Sequence, residues 1–354
     1  MHKARNTFRS DTTMTADART LRWGILSTAK IATKVSHAIR RAANSELIAI
    51  ASRDLDRAVA WAKQHGSPSQ RPIEAHGSYE SLLDDPSIDA VYIPLPPSMH
   101  FEWTIRAAER GKHVLCEKPL AANVGEAIQM AAACQQLGVQ LMDGVMWVHH
   151  ERTGAMRREI DSGALGRLRR VTAGFSFNWD EIPTANIRFS RDLAGGALGD
   201  LGYYCVRAIW WALRDVPQRV FATARYYSDV DMNLSAMLWF RDDRMASFDC
   251  GFDTAYRKWF EIAGTRGSLV CDDFVIPWSE DKARFWVHGE SGTNAEHAAP
   301  HCVQEVRMIE NFGDAIRCGV LNNEWPNDAV ATMRVCDALA DSAQRGEIVT
   351  IDGV

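Results

Sequence analysis

The sequence predicts an α/β chain in two parts. The first is a doubly wound parallel sheet, and the second is built around a large, open, mostly antiparallel sheet. Three observations carry this. Short, continuous apolar runs alternate with helical segments from Leu21 onward: Trp23–Leu26, Leu47–Ala51, Ala90–Ile93, His113–Cys116 and Val139–Met142. Strands without polar alternation are buried on both faces, which implies helices above and below. After Asp143 the texture changes to successive strands rich in Phe, Tyr, Val and Trp, at 168–179, 219–227, 234–240, 245–251 and 258–263. Those strands follow one another with turn signals at Asp242-Asp243 and Arg266-Gly267, so they pair antiparallel. The expected division is an extension over 1–20, a Rossmann-type domain over 21–143 and a domain built around the second sheet over 144–354.

The first helices are expected over Asp54–His65 and Met99–Arg110. The turn between the first run and its helix reads Gly24-Ile25-Leu26-Ser27-Thr28-Ala29-Lys30-Ile31-Ala32. A dinucleotide fingerprint places glycines where this chain has Ser27, Ala29 and Ala32. Small residues still allow a pyrophosphate to approach the backbone, and Ser27 adds a hydroxyl donor. Ser27, Thr28, Ala29, Lys30 and Ile31 are therefore expected to hold the cofactor. The second strand ends at Ser52-Arg53, where an NAD-binding sheet usually places an acid. A guanidinium there suits a 2′-phosphate, so NADP(H) is expected over NAD(H). Pro94-Leu95-Pro96-Pro97 is a stiff wall for a flat ring, with Leu95 against it and His100 opening the next helix.

Val114-Leu115-Cys116-Glu117-Lys118-Pro119 ends an apolar strand in a charged pair. That places Glu117 and Lys118 at the carboxyl edge of the sheet, where open α/β sheets bind ligands. Lys118 is expected beside the nicotinamide ring. A later helix runs from Gly195-Gly196 to about Leu213, with Leu198, Leu201, Cys205, Ile209 and Ala212 as its apolar stripe. Asp200 and Tyr204 are one turn apart, so an acid and a phenol can point into one cleft. His149-His150-Glu151 lacks a second histidine at Gly154, so no metal site is expected. The final helix is expected from Asn327 to Gln344, capped by Gly346, before a strand at Ile348–Ile351.

Composition narrows the partners. A formal net charge of −5 argues against nucleic acid. No apolar run approaches a membrane-spanning length. The polar first twenty residues lack the apolar core of a signal peptide, and Met14 is an alternative start. Eight cysteines without a C-x-x-C pair read as reduced thiols of a cytoplasmic protein.

Glu117-Lys118-Pro119, the Ile-Pro-Leu-Pro-Pro loop with His100, and the turn at Ser27 resemble the Gfo/Idh/MocA family of NAD(P)-dependent oxidoreductases. The run Gly195-Gly196-Ala197-Leu198-Gly199-Asp200-Leu201-Gly202-Tyr203-Tyr204 is similar to the family's G-G-x-x-x-D-x-G-x-[HY] block. The resemblance covers roughly Leu21 to Ile351. Ala29 departs from the family's usual glycine. Tyr204 places the chain with the family's tyrosine branch, which acts on sugars, polyols and dihydrodiols or the matching carbonyls. The resemblance implies Lys118, Asp200 and Tyr204 as the catalytic set, a polyol or sugar substrate, and a homodimer or homotetramer built through the second sheet. Tyr204 is expected to be the general acid/base, lowered by the Lys118 ammonium, with Asp200 holding Lys118 or the substrate. Trp147, Asn178, Trp179 and Arg188 are further candidates for the substrate pocket. Two alternatives stand beside this one: an NAD-dependent inositol-type dehydrogenase and a dinucleotide-binding sensor without turnover.

Overall fold

Continuous apolar strands leave no solvent-facing side, and the chain answers by burying the central strands of the first sheet on both faces. A computed structural model describes residues 20–66, 71–183 and 185–351. The extension expected over 1–20 therefore lies, but for Thr20, outside the described residues. Among the described residues the first sheet has the order β3-β2-β1-β4-β5-β6, all parallel. Its strands are β1 (Leu21–Leu26), β2 (Ser45–Ala51), β3 (Glu74–His76), β4 (Ala90–Ile93), β5 (His113–Cys116) and β6 (Leu141–Asp143). Helices α1 (Lys30–Arg41), α2 (Leu55–His65), α3 (Tyr79–Leu83), α4 (Pro97–Glu109) and α5 (Val124–Gln136) connect them.

Local chemistry sets the helix ends. Asp54 caps α2 by accepting from the backbone N–H of Asp56 and Arg57. The second predicted helix begins at Pro97 rather than Met99, because proline is compatible with a first helical turn. The strand expected at Val139–Met142 is shifted to Leu141–Asp143. Short β3 and α3 carry too few residues for a periodic signal.

The second sheet has the order β14-β13-β12-β11-β7-β10-β9-β8-β15. Its strands are β7 (Leu168–Asn178), β8 (Arg219–Tyr227), β9 (Val230–Trp239), β10 (Met245–Gly251), β11 (Asp253–Gly264), β12 (Gly267–Cys271), β13 (Arg284–Gly289), β14 (Asn294–Ala298) and β15 (Val349–Thr350). All neighbours pair antiparallel except β7 and β10, which run parallel because β8 and β9 are inserted between them in sequence. One face, including Val171, Phe175, Leu238 and Phe260, is buried. The opposite face carries Phe221, Met237, Trp239 and Trp259, only half-buried.

Helix α6 (Glu151–Asp161) leads into the second sheet, and α7 (Tyr203–Leu213) lies on its buried face against β7, β10 and β11. Then the chain turns back. Helix α8 (Gln304–Arg317) packs Met308, Ile309 and Phe312 into one cluster with Trp23, Val35 and Ile39 of the first sheet layer. Asn44 pins it there, donating to the Glu310 carbonyl at 2.8 Å and to Asp314 at 2.9 Å. Helix α9 (Glu324–Arg345) runs across α5, β6, α7 and β8 and ends at Gly346, as its C-cap chemistry predicts. Seven of the eight cysteines are buried and all are free thiols. No helix of the described residues is long and apolar enough to cross a membrane.

The link between the two sheets passes through His149 and His150. His149 Nδ1 accepts from Asn311 at 3.0 Å and His150 Nδ1 from the Arg152 N–H at 2.9 Å, so both rings are held as neutral acceptors. Burial lowers His149 to about 3, with Arg207 and Arg307 adding to the effect. Burial, then Arg152, lowers His150 to about 4. Each group has a folded pKa below its unfolded one. Its stabilisation is therefore complete above pH 6.5 and is lost as pH falls towards the folded values. Thermal unfolding followed by tryptophan fluorescence should show Tm falling below pH 6.5, with a shallower fall in His149→Gln. An identical pH dependence in the variant would remove His149 from this account.

Candidate active site

Strand order reverses between β1 and β4, and the loops leaving their carboxyl ends diverge there. This is the crevice where doubly wound sheets take ligands. After β1 the chain makes its tight turn with Ser27 at φ 128°, a conformation a glycine adopts freely and a serine does not. The Ser27 hydroxyl oxygen accepts from the Ala29 N–H at 3.1 Å, so it shapes the turn, and its own proton remains free to donate. Helix α1 begins at Lys30 with no side-chain cap. Its first N–H groups are open to an anion, as a pyrophosphate requires.

A cleft of about 570 Å³ opens from this turn. Ala29, Lys30, Ile31, Pro94, Leu95 and Pro97 form one end; Glu117, Lys118 and Pro119 cross its middle; Phe175, Phe177, Arg188, Asp200 and Tyr204 form the other. A smaller cavity of about 250 Å³ lies beyond the turn, lined by Ser27, Thr28, Ser52, Arg53, Asp54, Arg57 and Tyr79. The two together match an extended dinucleotide: an apolar slot, an open helix N-terminus, and a pocket with two guanidinium groups.

At the centre, Lys118 donates to Asp200 Oδ1 at 2.6 Å and to the Asp200 carbonyl at 2.9 Å. Arg188 Nε donates to the other carboxylate oxygen, Oδ2, at 2.5 Å. Burial would raise Asp200, but Lys118 and Arg188 outweigh it and hold the carboxyl below its usual range. Each carboxylate oxygen holds one cation, Oδ1 the Lys118 ammonium and Oδ2 the Arg188 guanidinium, so Asp200 fixes both side chains. Lys118 retains one of its three protons for a ligand. Its Nζ lies 5.0 Å from the centroid of the Tyr204 ring.

The local sequence explains this convergence. Before α7 the chain makes a wide π-turn over Leu198–Gly202. Asp200 therefore sits in a widened turn, and its alignment with Tyr204 differs from that of a regular helix. Gly196 has φ 120°, and a Cβ there would fall 2.1 Å from Asp231 Oδ1. Asp231 in turn accepts from the Leu198 N–H at 2.6 Å, seating the start of the turn. A Cβ on Gly195 would lie 2.5 Å from the Arg188 carbonyl, so only glycine lets Arg188 approach. Behind the site, Tyr203 donates to Asp143 at 2.8 Å and Arg207 to the same oxygen at 2.5 Å. That buried network ties α7 to the end of β6 and, through Thr332, to α9.

Tyr204 departs from expectation. Its phenol is pushed well above the ordinary value, by burial first and then by Glu117 and Asp200. The Arg188 guanidinium pulls the other way, but burial and the carboxyl groups outweigh it. Glu117 is itself buried, accepting from Tyr92 Oη at 2.5 Å and from the Lys118 N–H at 3.2 Å. Burial raises Glu117 as well.

The remaining sequence candidates fall in different places. His100 is buried outside the cleft, its ring between the Leu95 and Pro119 carbonyls at 2.8 and 2.9 Å. It braces both cofactor loops. Trp147 is fully buried against Trp211, Phe260 and Phe274, and is core rather than cleft wall. Asn178 is exposed and donates to Asp180 at 2.6 Å, away from the cleft lining. Trp179 packs on Phe177, Phe189 and Phe252 and lies beneath the Arg188 guanidinium at 5.9 Å, so it supports Arg188. Arg57, in the small cavity, was not singled out from sequence. It lies in the first turn of α2, four residues after Arg53, and donates to Thr28 Oγ1 at 3.4 Å. A second arginine so soon after Ser52-Arg53 was the available signal.

Residues 21–145 match the oxidoreductase family with an NAD-binding Rossmann fold, and residues 153–270 match the GFO/IDH/MocA C-terminal domain. The chain belongs to the Gfo/Idh/MocA oxidoreductase family. Within this family it is 36% identical over 334 residues to D-xylose 1-dehydrogenase (NADP(+)) 2 of Haloferax volcanii, covering 93% of this chain and 99% of that one. It is 32% identical over 261 residues to trans-1,2-dihydrobenzene-1,2-diol dehydrogenase of Mus musculus, covering 73% and 76%. A 3-ketoreductase from Actinomadura kijaniata, solved with NADP and TDP-benzene, superposes with a TM-score of 0.84 at 30% identity, covering 92% and 98%. That superposition spans both the Rossmann part and the sheet that follows it.

Proposed function

We propose that the chain is an NADP(H)-dependent dehydrogenase or reductase of a sugar or related polyol, working through Lys118, Asp200 and Tyr204. The observation that carries the reading is the Lys118–Asp200–Arg188 clamp beside the Tyr204 phenol, inside one cleft with the dinucleotide turn. Relatives named for a sugar, a dihydrodiol and a keto-sugar nucleotide all exchange hydride at a carbinol or carbonyl carbon, which supports the substrate class.

When bound, the nicotinamide supplies or accepts the hydride. The chain handles the oxygen and its proton. The free Lys118 proton is placed to donate to the reacting oxygen, and Asp200 fixes the ammonium's direction. Tyr204, held neutral by burial, Glu117 and Asp200, gives its proton to a carbonyl oxygen during reduction and takes it back during oxidation. Phe175 packs edge-on against Tyr204 at 5.5 Å between ring centroids and limits its swing. Arg53 and Arg57 form a two-pronged site for a 2′-phosphate. The half-buried outer face of the second sheet, with Phe221, Met237, Trp239 and Trp259, supports a homodimer or homotetramer, and the free cysteines suit a cytoplasmic setting.

Two measurements test this. Tyr204→Phe should lower kcat on a responsive aldose or polyol by about a hundredfold or more, while NADPH binding followed by fluorescence stays near wild type. Turnover close to wild type would end the acid/base assignment. Arg57→Ala should weaken NADP+ binding by about tenfold or more and leave NAD+ binding unchanged, as loss of a charge-assisted bond predicts. Equal weakening of both cofactors would place Arg57 outside the 2′-phosphate site.

A further inference from the structure

Gln304, the first residue of α8, forms part of the cleft wall and is 4% exposed. Its amide nitrogen donates to the Val275 carbonyl at 3.0 Å and to Glu305 Oε1 at 3.4 Å. Two acceptors on one side fix which way the amide faces. Its oxygen, Oε1, is then left with no donor among the described residues. A buried acceptor without a partner is unfavourable, so a donor brought by a ligand gains more here than at an exposed position.

The position selects the donor. Glu305 accepts from Lys34 at 2.5 Å, which ties this end of α8 to the cofactor-binding helix α1. The side chains of Ile31, Met146, Val275 and Ile276, which line the same cleft, are apolar and offer no donor to Oε1. Phe175, Phe177 and Arg188, which come from the second sheet and its loop, stand with Asp200 and Tyr204 on the substrate side. A flat ring seated between the α1 turn and Lys118 would meet these apolar side chains, and its side group would need an acceptor.

Resting on the dinucleotide reading above, we infer that Gln304 Oε1 accepts a hydrogen bond from the carboxamide –NH2 of the nicotinamide and so fixes the rotation of the ring about its glycosidic bond. Gln304 is a positioning residue. It sets which ring face meets the substrate without touching the reacting oxygen.

The 3-acetylpyridine analogue of NADP+ replaces the –NH2 by a methyl group and removes that donor. Dissociation constants for NADP+ and the analogue are measured by quenching of tryptophan fluorescence, on wild type and on Gln304→Met, which keeps length without the acceptor. Wild type should bind NADP+ about three- to tenfold more tightly than the analogue, the worth of one neutral hydrogen bond, and Gln304→Met should bind the two alike. Equal binding of both by wild type overturns the inference whether or not the variant folds. So does discrimination that survives in Gln304→Met. A variant that keeps the discrimination and instead raises KM for the polyol assigns Oε1 to the substrate and also overturns it. If wild type binds neither NADP+ nor NAD+, the dinucleotide reading itself fails and takes this inference with it.

Discussion

The site depends on one carboxylate held between two cations. Asp200 is 13% exposed, Lys118 12% and Arg188 35%. A carboxylate so far from water is tolerated only with its charge matched and its oxygens bonded. Such an arrangement adds little net stability as a whole, yet removing one member leaves a charge stranded. Its value is therefore directional. The three residues come from the end of β5, a loop after β7 and the turn before α7, and none can relax without exposing the others. The clamp thus ties the end of the first sheet to the turn before α7 and the loop after β7.

This coupling also sets the protonation of Tyr204. Burial, Glu117 and Asp200 raise the phenol, against a lowering by the Arg188 guanidinium, and so favour its protonated form. A ligand that draws on the Lys118 ammonium or adds positive charge beside the ring changes that balance.

Much of this was legible in the sequence because it is encoded locally. The first sheet follows from apolar runs, the Lys118 position from a strand ending in Glu-Lys-Pro, and the α9 stop from Gly346. What was not legible depends on contacts between distant residues. Trp147 looks like a cleft wall in sequence, but its ring is enclosed by Trp211, Phe260 and Phe274 from three separate elements. Arg188 looks like a pocket or interface residue until Gly195 and Gly196 fold it onto Asp200. The return of α8 to Trp23 has no signal of its own, since an apolar helix face does not state which sheet it covers. Ser27 at a glycine-like φ shows that the fingerprint's first requirement is conformational, and a serine meets it at a cost the turn absorbs.

The central claim is that Lys118 acts as Asp200 directs it. A double-mutant cycle in kcat/KM with Lys118→Met, Asp200→Asn and the double variant tests this most directly. The account predicts that each single change costs about a hundredfold or more. It also predicts that the double variant is little worse than the weaker single variant, because the second change removes an interaction already lost. Losses that multiply would show two residues working independently and would contradict the clamp as the organising feature of the site.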